Sequence, residues 1–348
     1  MKIKLQTKSG EFAFDGDASE SFLFAGLAAG ISLPYECATG TCGTCRARVM
    51  EGTAEVVWDE APGFAKLKRD KGDILMCQSR PGSDCVLRVP SNMTQTDDVS
   101  GVPCWREAKI TTAKQLTRDV IHFDLELSRP MTFKAGQFTV VETGDVRGGR
   151  AYSMVNFEEN TGKLSFVVKR KPGGGFSEWL FSNDVVGHEL RLFGPLGNAT
   201  FGPEDDKDLL CITGGSGIAG IMSILERARG MGYFQKHKGW VFFGVRTLAD
   251  GFYIKELADH VEQAGGNLEV TLALSDETPA TEVHPDFPQI KLAGGFVHEA
   301  TSRLMAGRYS DNLLGYLAGP PPMVDGAIRL LLTEARLAPN SIRYDKFA

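Results

Sequence analysis

The sequence predicts a multidomain chain of mixed α+β and α/β class. A small cysteine-bearing α+β domain is expected over residues 1–98, a six-stranded antiparallel β-barrel over 101–203, and a doubly wound parallel sheet over 206–348. Three observations predict this. Three cysteines crowd one loop between Cys37 and Cys45. Short strand patterns separated by glycine-rich turns fill the middle of the chain, and strand and helix patterns alternate through its last part. A length of 348 residues suits two or three domains at about 150 residues each.

The N-terminal part begins with two strand patterns, Lys2–Leu5 and Glu11–Phe14. A helix follows, with Ser19 as its expected N-cap and Gly30 as its C-terminal stop. The cysteine loop comes next, then a strand at Arg46–Met50. The polar stretch Ser91–Asp98 reads as a linker. In the middle part Ile121, Phe123, Leu125 and Leu127 alternate onto one face of a strand. Further strands are expected at Phe138–Val141, Leu164–Val168 and Leu190–Phe193, with Gly194–Gly197 as a closing turn. The last part reads as strands at Leu209–Thr213, Trp240–Phe243, Leu268–Leu274 and Leu313–Ala318, and helices at Ile218–Arg229, Ile254–Gln263 and Met323–Ala335. That rhythm places helices on both faces of a parallel sheet.

Composition excludes several classes. A net charge of −6 argues against a nucleic-acid partner and is compatible with a basic docking partner. No run reaches the roughly 18 consecutive apolar residues of a membrane span. Met1–Lys4 lacks the apolar core of a secretory signal, so a cytoplasmic protein with no membrane partner is expected. In a reducing compartment seven cysteines, an odd number, read as metal ligands or redox groups and not as a disulfide framework.

Cys37, Cys42 and Cys45 have the spacing C-x4-C-x2-C, and Cys77 follows farther along. This is the plant-type [2Fe–2S] ligand pattern, in which one loop supplies three thiolates and curls over the cluster. Gly40 and Gly43 inside the loop allow backbone N–H groups to approach the sulfurs. Two alternatives are a thioredoxin-like dithiol at Cys42 and Cys45, and a zinc site, which usually takes two closely spaced cysteine pairs. The x4 gap and the distant fourth cysteine disfavour both. Cys85, Cys104 and Cys211 have no such spacing and read as buried apolar residues.

Arg150-Ala151-Tyr152-Ser153 fits R-x-Y-S at the end of a strand. A flavin needs a flat ring against it, a cation for its phosphates and a hydrogen bond near N5, which Tyr152, Arg150 and Ser153 can supply in turn. Alone, the tetrapeptide is equally an ordinary strand segment. Its place between a cluster domain and a nucleotide domain favours FAD. Val168 is a further cofactor-contact candidate. Gly174 and Gly175 would wrap the pyrophosphate, and Ser177 would cap a short helix Glu178–Phe181.

Gly214, Gly215, Ser216 and Gly217 join a strand to a helix. Such a turn turns free N–H groups and the positive helix end toward a pyrophosphate. Arg246 follows the second strand of this part, and Gly319 and Pro320 follow a later one, at strand ends where open α/β sheets bind ligands. Asp276 would repel the extra phosphate of NADPH and favour NADH. Arg246 acts in the opposite sense.

These motifs, in this order, resemble the reductase components of bacterial multicomponent monooxygenases of the toluene, phenol and alkene type. More broadly they are similar to ferredoxin–NADP reductases with a fused N-terminal plant-type ferredoxin. The resemblance implies a β-grasp [2Fe–2S] domain, an FAD barrel and an NAD(P)H domain. It also implies that Tyr152 stacks on the flavin, Ser153 hydrogen-bonds it and Arg150 holds its phosphate. Hydride would pass from NADH to the flavin, and electrons would leave singly through the cluster. The acceptor would be an oxygenase or hydroxylase component or an intermediary ferredoxin. A Rieske dioxygenase as acceptor, or a non-enzymatic redox sensor, are the other readings. The closing Tyr344–Phe347 resembles the family's last strand, with Phe347 near the flavin. Two departures stand out: Ala318 occupies the place of the family's nicotinamide-side cysteine, and Gly220 stands where proline is common. Glu36, Glu51, Asp59 and Glu60 read either as solvated surface charges or as acids that steer a basic partner.

Overall fold

A computed structural model of the chain describes residues 1–98, 101–182 and 184–347; Ala348, the end of the third expected region, lies outside the described residues. Three main sheets follow one another along the chain, in the order expected.

The first is five-stranded, with Lys2–Thr7 paired antiparallel to Gly10–Asp15 and parallel to Cys85–Arg88, which leads on to Arg46–Glu51 and Asp73–Leu75. Helix Phe22–Ala28 lies beside it with five of its residues buried. The helix is capped by Ser21 and not by Ser19: the Ser21 hydroxyl accepts from Phe24 N–H at 3.2 Å. Ser19 is held instead by the Asp17 carboxylate. Gly30 does sit just past the helix end, in the left-handed region at φ +75°. The supposed linker is stitched down. Met93 is buried and exchanges hydrogen bonds with the Ser9 hydroxyl, and Thr94 bonds Ser32.

The middle sheet is a curled antiparallel one of six strands, running in space Val146–Ser153, Phe138–Thr143, Glu189–Leu196, Cys104–Thr117, Val120–Met131 and Thr161–Lys169. Its core gathers Phe123, Leu125, Phe166 and Phe176, so the alternation read from Val120 onward points where expected. The expected turn at Gly194–Gly197 is mostly strand: Gly194, Pro195 and Leu196 belong to Glu189–Leu196. The third sheet has six parallel strands in the spatial order Ile290–Gly294, Leu268–Leu274, Gly239–Val245, Asp208–Gly214, Leu313–Gly319 and Ile342–Lys346. No helix among the described residues is long and apolar enough to cross a membrane.

The three parts share cores. Phe24 of the first helix stacks on Phe193 of the barrel at 4.4 Å and 19°, and Trp105 meets both rings edge-on. Arg191 covers Trp105 at 4.0 Å, and the Trp105 indole donates to Glu20. Likewise Ala135, Val155 and Phe201 of the barrel lie in one apolar cluster with Ile218, Ile221 and Ile224 of the third part. Truncating Phe193 removes a fully buried ring from the first of these joints. Phe193→Ala is expected to cost about 3–5 kcal/mol in urea unfolding monitored by tryptophan fluorescence.

Candidate functional site

The cysteine loop runs from Cys37 to Cys45 and folds back under residues 61–66. Gly40 takes φ +96°, and a Cβ there would stand 2.8 Å from Gln78 and 3.2 Å from Ala61, so glycine alone lets the loop close on the segment carrying Cys77. Gly63 N–H donates to the Gly40 carbonyl and the Lys66 ammonium to the Cys42 carbonyl, both at 2.9 Å. The four thiols meet as two pairs. Cys45 and Cys77 sulfurs are 3.2 Å apart and buried. The Cys42 thiol donates to Cys37, which pulls the Cys37 thiol down to about 4, while Cys42 is pushed up by giving that hydrogen bond. Backbone N–H groups of Cys42 and Thr44 point at the Cys37 and Cys42 sulfurs, each at 3.4 Å. Two sulfur pairs with N–H donors suit a two-iron group. Among the described residues no set of His, Cys, Asp or Glu side chains converges as the ligands of a single metal ion. Of the other cysteines, Cys85 and Cys211 are buried, and Cys104 is half-exposed beside Arg129.

Arg150, Tyr152 and Ser153 lie on Val146–Ser153, opposite Val141, Thr139 and Phe138. The half-buried Tyr152 ring sits 5.4 Å from Phe176, and burial pushes its phenol up. Arg150 is exposed; its guanidinium bonds the Gly149 carbonyl and joins no ion pair among the described residues, which leaves its charge free for a phosphate. Ser153 is buried, next to the first turn of helix Ile218–Gly230, where Gly220 approaches it. A side chain at Gly220 would meet only ordinary contacts. Val168 is buried in the barrel core. The short helix begins earlier than expected, at Gly175, and runs to Ser182. Ser177 is therefore inside its first turn, bonded to Lys171 and not standing as its cap. Gly174 and Gly175 leave no space for side chains beside Lys171 and Val146.

The third cluster of candidates lines a cleft of about 620 Å³ between the barrel and the parallel sheet. Gly214, Gly215, Ser216, Gly217, Arg246, Gly319, Pro320 and Phe347 all line it. Helix Ile218–Gly230 has no side-chain cap; the preceding turn Gly215–Gly217 takes the Ile218 N–H, and the turn's own N–H groups stand at the cleft wall. Asp276 stands at the rim, its backbone N–H on the Arg246 carbonyl and its carboxylate on the Ser275 hydroxyl. Ala318 is buried in its strand, its carbonyl accepting from the Thr213 hydroxyl at 2.9 Å, and its methyl brings no reactive group to the cleft.

Sequence reasoning missed the ion pairs that close this cleft. Asp119, in the turn between two barrel strands, accepts from Arg246 at 2.9 Å and lies 3.6 Å from Lys169. Asp250 lies 3.3 Å from Arg246 and 3.6 Å from Arg118. Burial pushes the Asp250 carboxyl up, but Thr247 hydrogen bonds and the Arg246 and Arg118 charges hold it below its ordinary value. Asp119 and Arg246 are far apart in sequence, and no local signal joins them. A second cavity, of about 750 Å³, lies where all three parts meet. Tyr35 and Glu36, next to Cys37, face Gln137, Pro195 and the C-terminal strand there. Burial, then the Glu36 charge, pushes Asp345 up to about 7.

Comparison with known proteins follows the same division. Residues 6–82 match the 2Fe-2S iron-sulfur cluster binding domain, 107–201 the oxidoreductase FAD-binding domain, and 211–328 the oxidoreductase NAD-binding domain. The ferredoxin–NAD(P)(+) reductase CarAd of Metapseudomonas resinovorans is 34% identical over 95% of this chain and 95% of its own. The ferredoxin–NAD(+) reductase component of the alkene monooxygenase system of Xanthobacter autotrophicus is 33% identical over 96% and 98%. The chain belongs to the ferredoxin–NAD(P) reductase family. The solved structure of the ferredoxin reductase in carbazole 1,9a-dioxygenase superposes with a TM-score of 0.85 at 31% identity, covering 100% of this chain and 99% of that one. Family membership brings with it a [2Fe–2S] cluster, FAD and NAD as cofactors. Like its relatives, this reductase is an oxidoreductase that passes electrons from NADH through FAD and the iron–sulfur cluster toward an oxygenase.

Proposed function

We propose that this reductase oxidises NADH in the cytoplasm and delivers single electrons to a di-iron monooxygenase's hydroxylase component, directly or through an intermediary ferredoxin. The observation that carries the reading is the meeting of four thiols in two pairs on a domain whose core is continuous with the barrel. Cys37, Cys42, Cys45 and Cys77 would hold the cluster. Arg150 would hold the FAD phosphates, Tyr152 and Ser153 its ring, and Val168, Gly174, Gly175 and Ser177 its remaining contacts. The division at residues 98, 101, 203 and 206 belongs to the same reading. When bound, the flavin accepts an electron pair and the cluster carries electrons one at a time.

The chain's own residues bind and orient the substrate. The turn Gly214–Gly217 presents N–H groups to the NADH pyrophosphate. Phe252, Met323 and Phe347 give the cleft an apolar wall that excludes water. Arg246 spends its charge on Asp119 and Asp250, and Asp276 adds a carboxylate at the rim, which together favour NADH over NADPH. Asp119→Ala would remove the shorter of the two Arg246 ion pairs and leave Asp250 as its one acidic partner among the described residues. Steady-state assays are expected to show kcat/KM for NADPH rising about tenfold relative to NADH, the scale of one well-placed charged hydrogen bond. An unchanged ratio would remove Arg246 from cofactor choice.

A dioxygenase component as acceptor is the second reading, favoured by the likeness to the carbazole dioxygenase reductase. Cytochrome c reduction with NADH tests the shared chemistry: two haems reduced per NADH are expected, and no reduction would refute it.

A further inference from the structure

The exposed side of the cysteine loop is cationic, opposite in sign to the whole chain. Cys42 and Gly43 are half-exposed and Thr44 is exposed, so the loop reaches the surface here. A concavity of about 280 Å³ opens beside this turn, with Arg46 and Lys66 in its wall. Lys68 and Lys71 follow on the same exposed segment. Arg88 stands opposite Arg48 in the neighbouring strand, on the face that Arg46 also shares by the two-residue period of a strand. Arg46, Lys66, Lys68, Lys71 and Arg88 carry no ion pair among the described residues, and all five are exposed. The nearby acids without an ion pair among the described residues are Glu36, Glu60 and Asp70, three against five cations.

The acids expected to steer a basic partner are fewer here than the cations. Glu36 is exposed and shares the three-way cavity with Thr44. Asp59 is paired with Arg69 at 2.5 Å. Glu51 ends the strand that Arg46 begins, about 17 Å away at 3.3 Å per residue.

We propose that this face docks an acidic surface of an electron-accepting protein, with electrons leaving at the Cys42–Cys45 turn. The inference rests on the reductase reading above and adds the charge of the partner. At an ionic strength near 0.1 M the screening length is about 10 Å. The distant charges behind the net −6 are then damped, and the cations at the contact decide the encounter.

The test uses the full holoprotein with excess NADH and two forms of one acceptor, native cytochrome c (basic) and succinylated cytochrome c (acidic). Each NADH becomes NAD⁺ and a proton while two ferric haems become ferrous. At about 0.1 M ionic strength the succinylated form should be reduced faster, and its rate should fall with added salt. Lys68→Glu combined with Lys71→Glu should lower that rate about tenfold and raise the native one. The same pair should leave NADH bleaching of the visible bands unchanged. Glu51→Lys, on the far end, should not alter the preference. A native-form preference in the unmodified protein would assign the face to a basic partner and overturn the proposal. So would charge reversals that leave both rates unchanged, or a far-end reversal as effective as the near ones. Loss of NADH bleaching in the unmodified protein would instead refute the reductase reading, and this assignment with it.

Discussion

Cys77→Ser is expected to lower NADH-driven cytochrome c reduction at least about a hundredfold, while NADH oxidation by ferricyanide, which takes electrons from the flavin, persists. Loss of an outer partner at a metal site already costs 10–100-fold, and here a ligand itself is exchanged for a hydroxyl that ionises far less readily. Cys77 is 6% exposed, and its sulfur lies 3.2 Å from Cys45. Serine in that place keeps the packing and removes the thiolate. Parallel loss of both activities would mean that the substitution acts through folding, and retention of both would remove Cys77 from the electron path. Cys85→Ser is the matched control, since its thiol bonds only the Thr53 and Ser83 carbonyls.

Gly217→Ala should be almost as severe, for a purely steric reason. An added Cβ would stand 2.3 Å from the Ala318 carbonyl oxygen, 2.6 Å from its carbon and 2.8 Å from Gly319 N. All three are backbone atoms of a central strand, so they cannot swing aside. The turn must instead lift away from Leu313–Gly319, moving its N–H groups off the place proposed for the NADH pyrophosphate. A displacement near 1 Å is enough to lower kcat/KM for NADH about a hundredfold. Gly215 makes the contrast. It has φ +55° but open space where a side chain would go, so Gly215→Ala should cost only the left-handed backbone penalty of roughly 1–2 kcal/mol. Equal effects of the two substitutions on NADH kinetics would show that backbone conformation, and not contact with Ala318, sets the turn.

Legibility in the sequence followed the range of the interaction. The cysteine spacing, the glycine turn and the alternation from Ile121 to Leu127 are local patterns, and the structure brings Cys45 to Cys77 and forms the turn and the strand. Strand Cys104–Thr117 was missed because its exposed and half-buried residues do not alternate cleanly. Ile290–Gly294 is short and at the sheet edge, and helix Val297–Met305 follows it without a proline or polar cap to announce it. The helix cap moved from Ser19 to Ser21 because Asp17 competes for the first hydroxyl. What no window could hold was charge partnership. Arg246 looked like a free phosphate ligand until Asp119 was brought beside it, and Asp59 looked like part of a docking surface until Arg69 was paired with it.

The shared cores give these local sites a joint purpose. Phe24 on Phe193 fixes the cysteine domain against the barrel, and Ile221 and Ile224 fix the nucleotide cleft on the barrel's other side. Electron transfer between bound groups depends on such fixed distances more than on acid–base groups, and the described residues place no nucleophile–base pair in the cleft.

Anaerobic titration of the purified protein with NADH, followed by electron paramagnetic resonance and metal analysis, tests the central claim most directly. About two irons per chain and the one-electron signal of a reduced [2Fe–2S] centre, lost in Cys77→Ser, are predicted. Zinc at the four thiols, or a flavin that bleaches with NADH while no cluster signal appears, would contradict it.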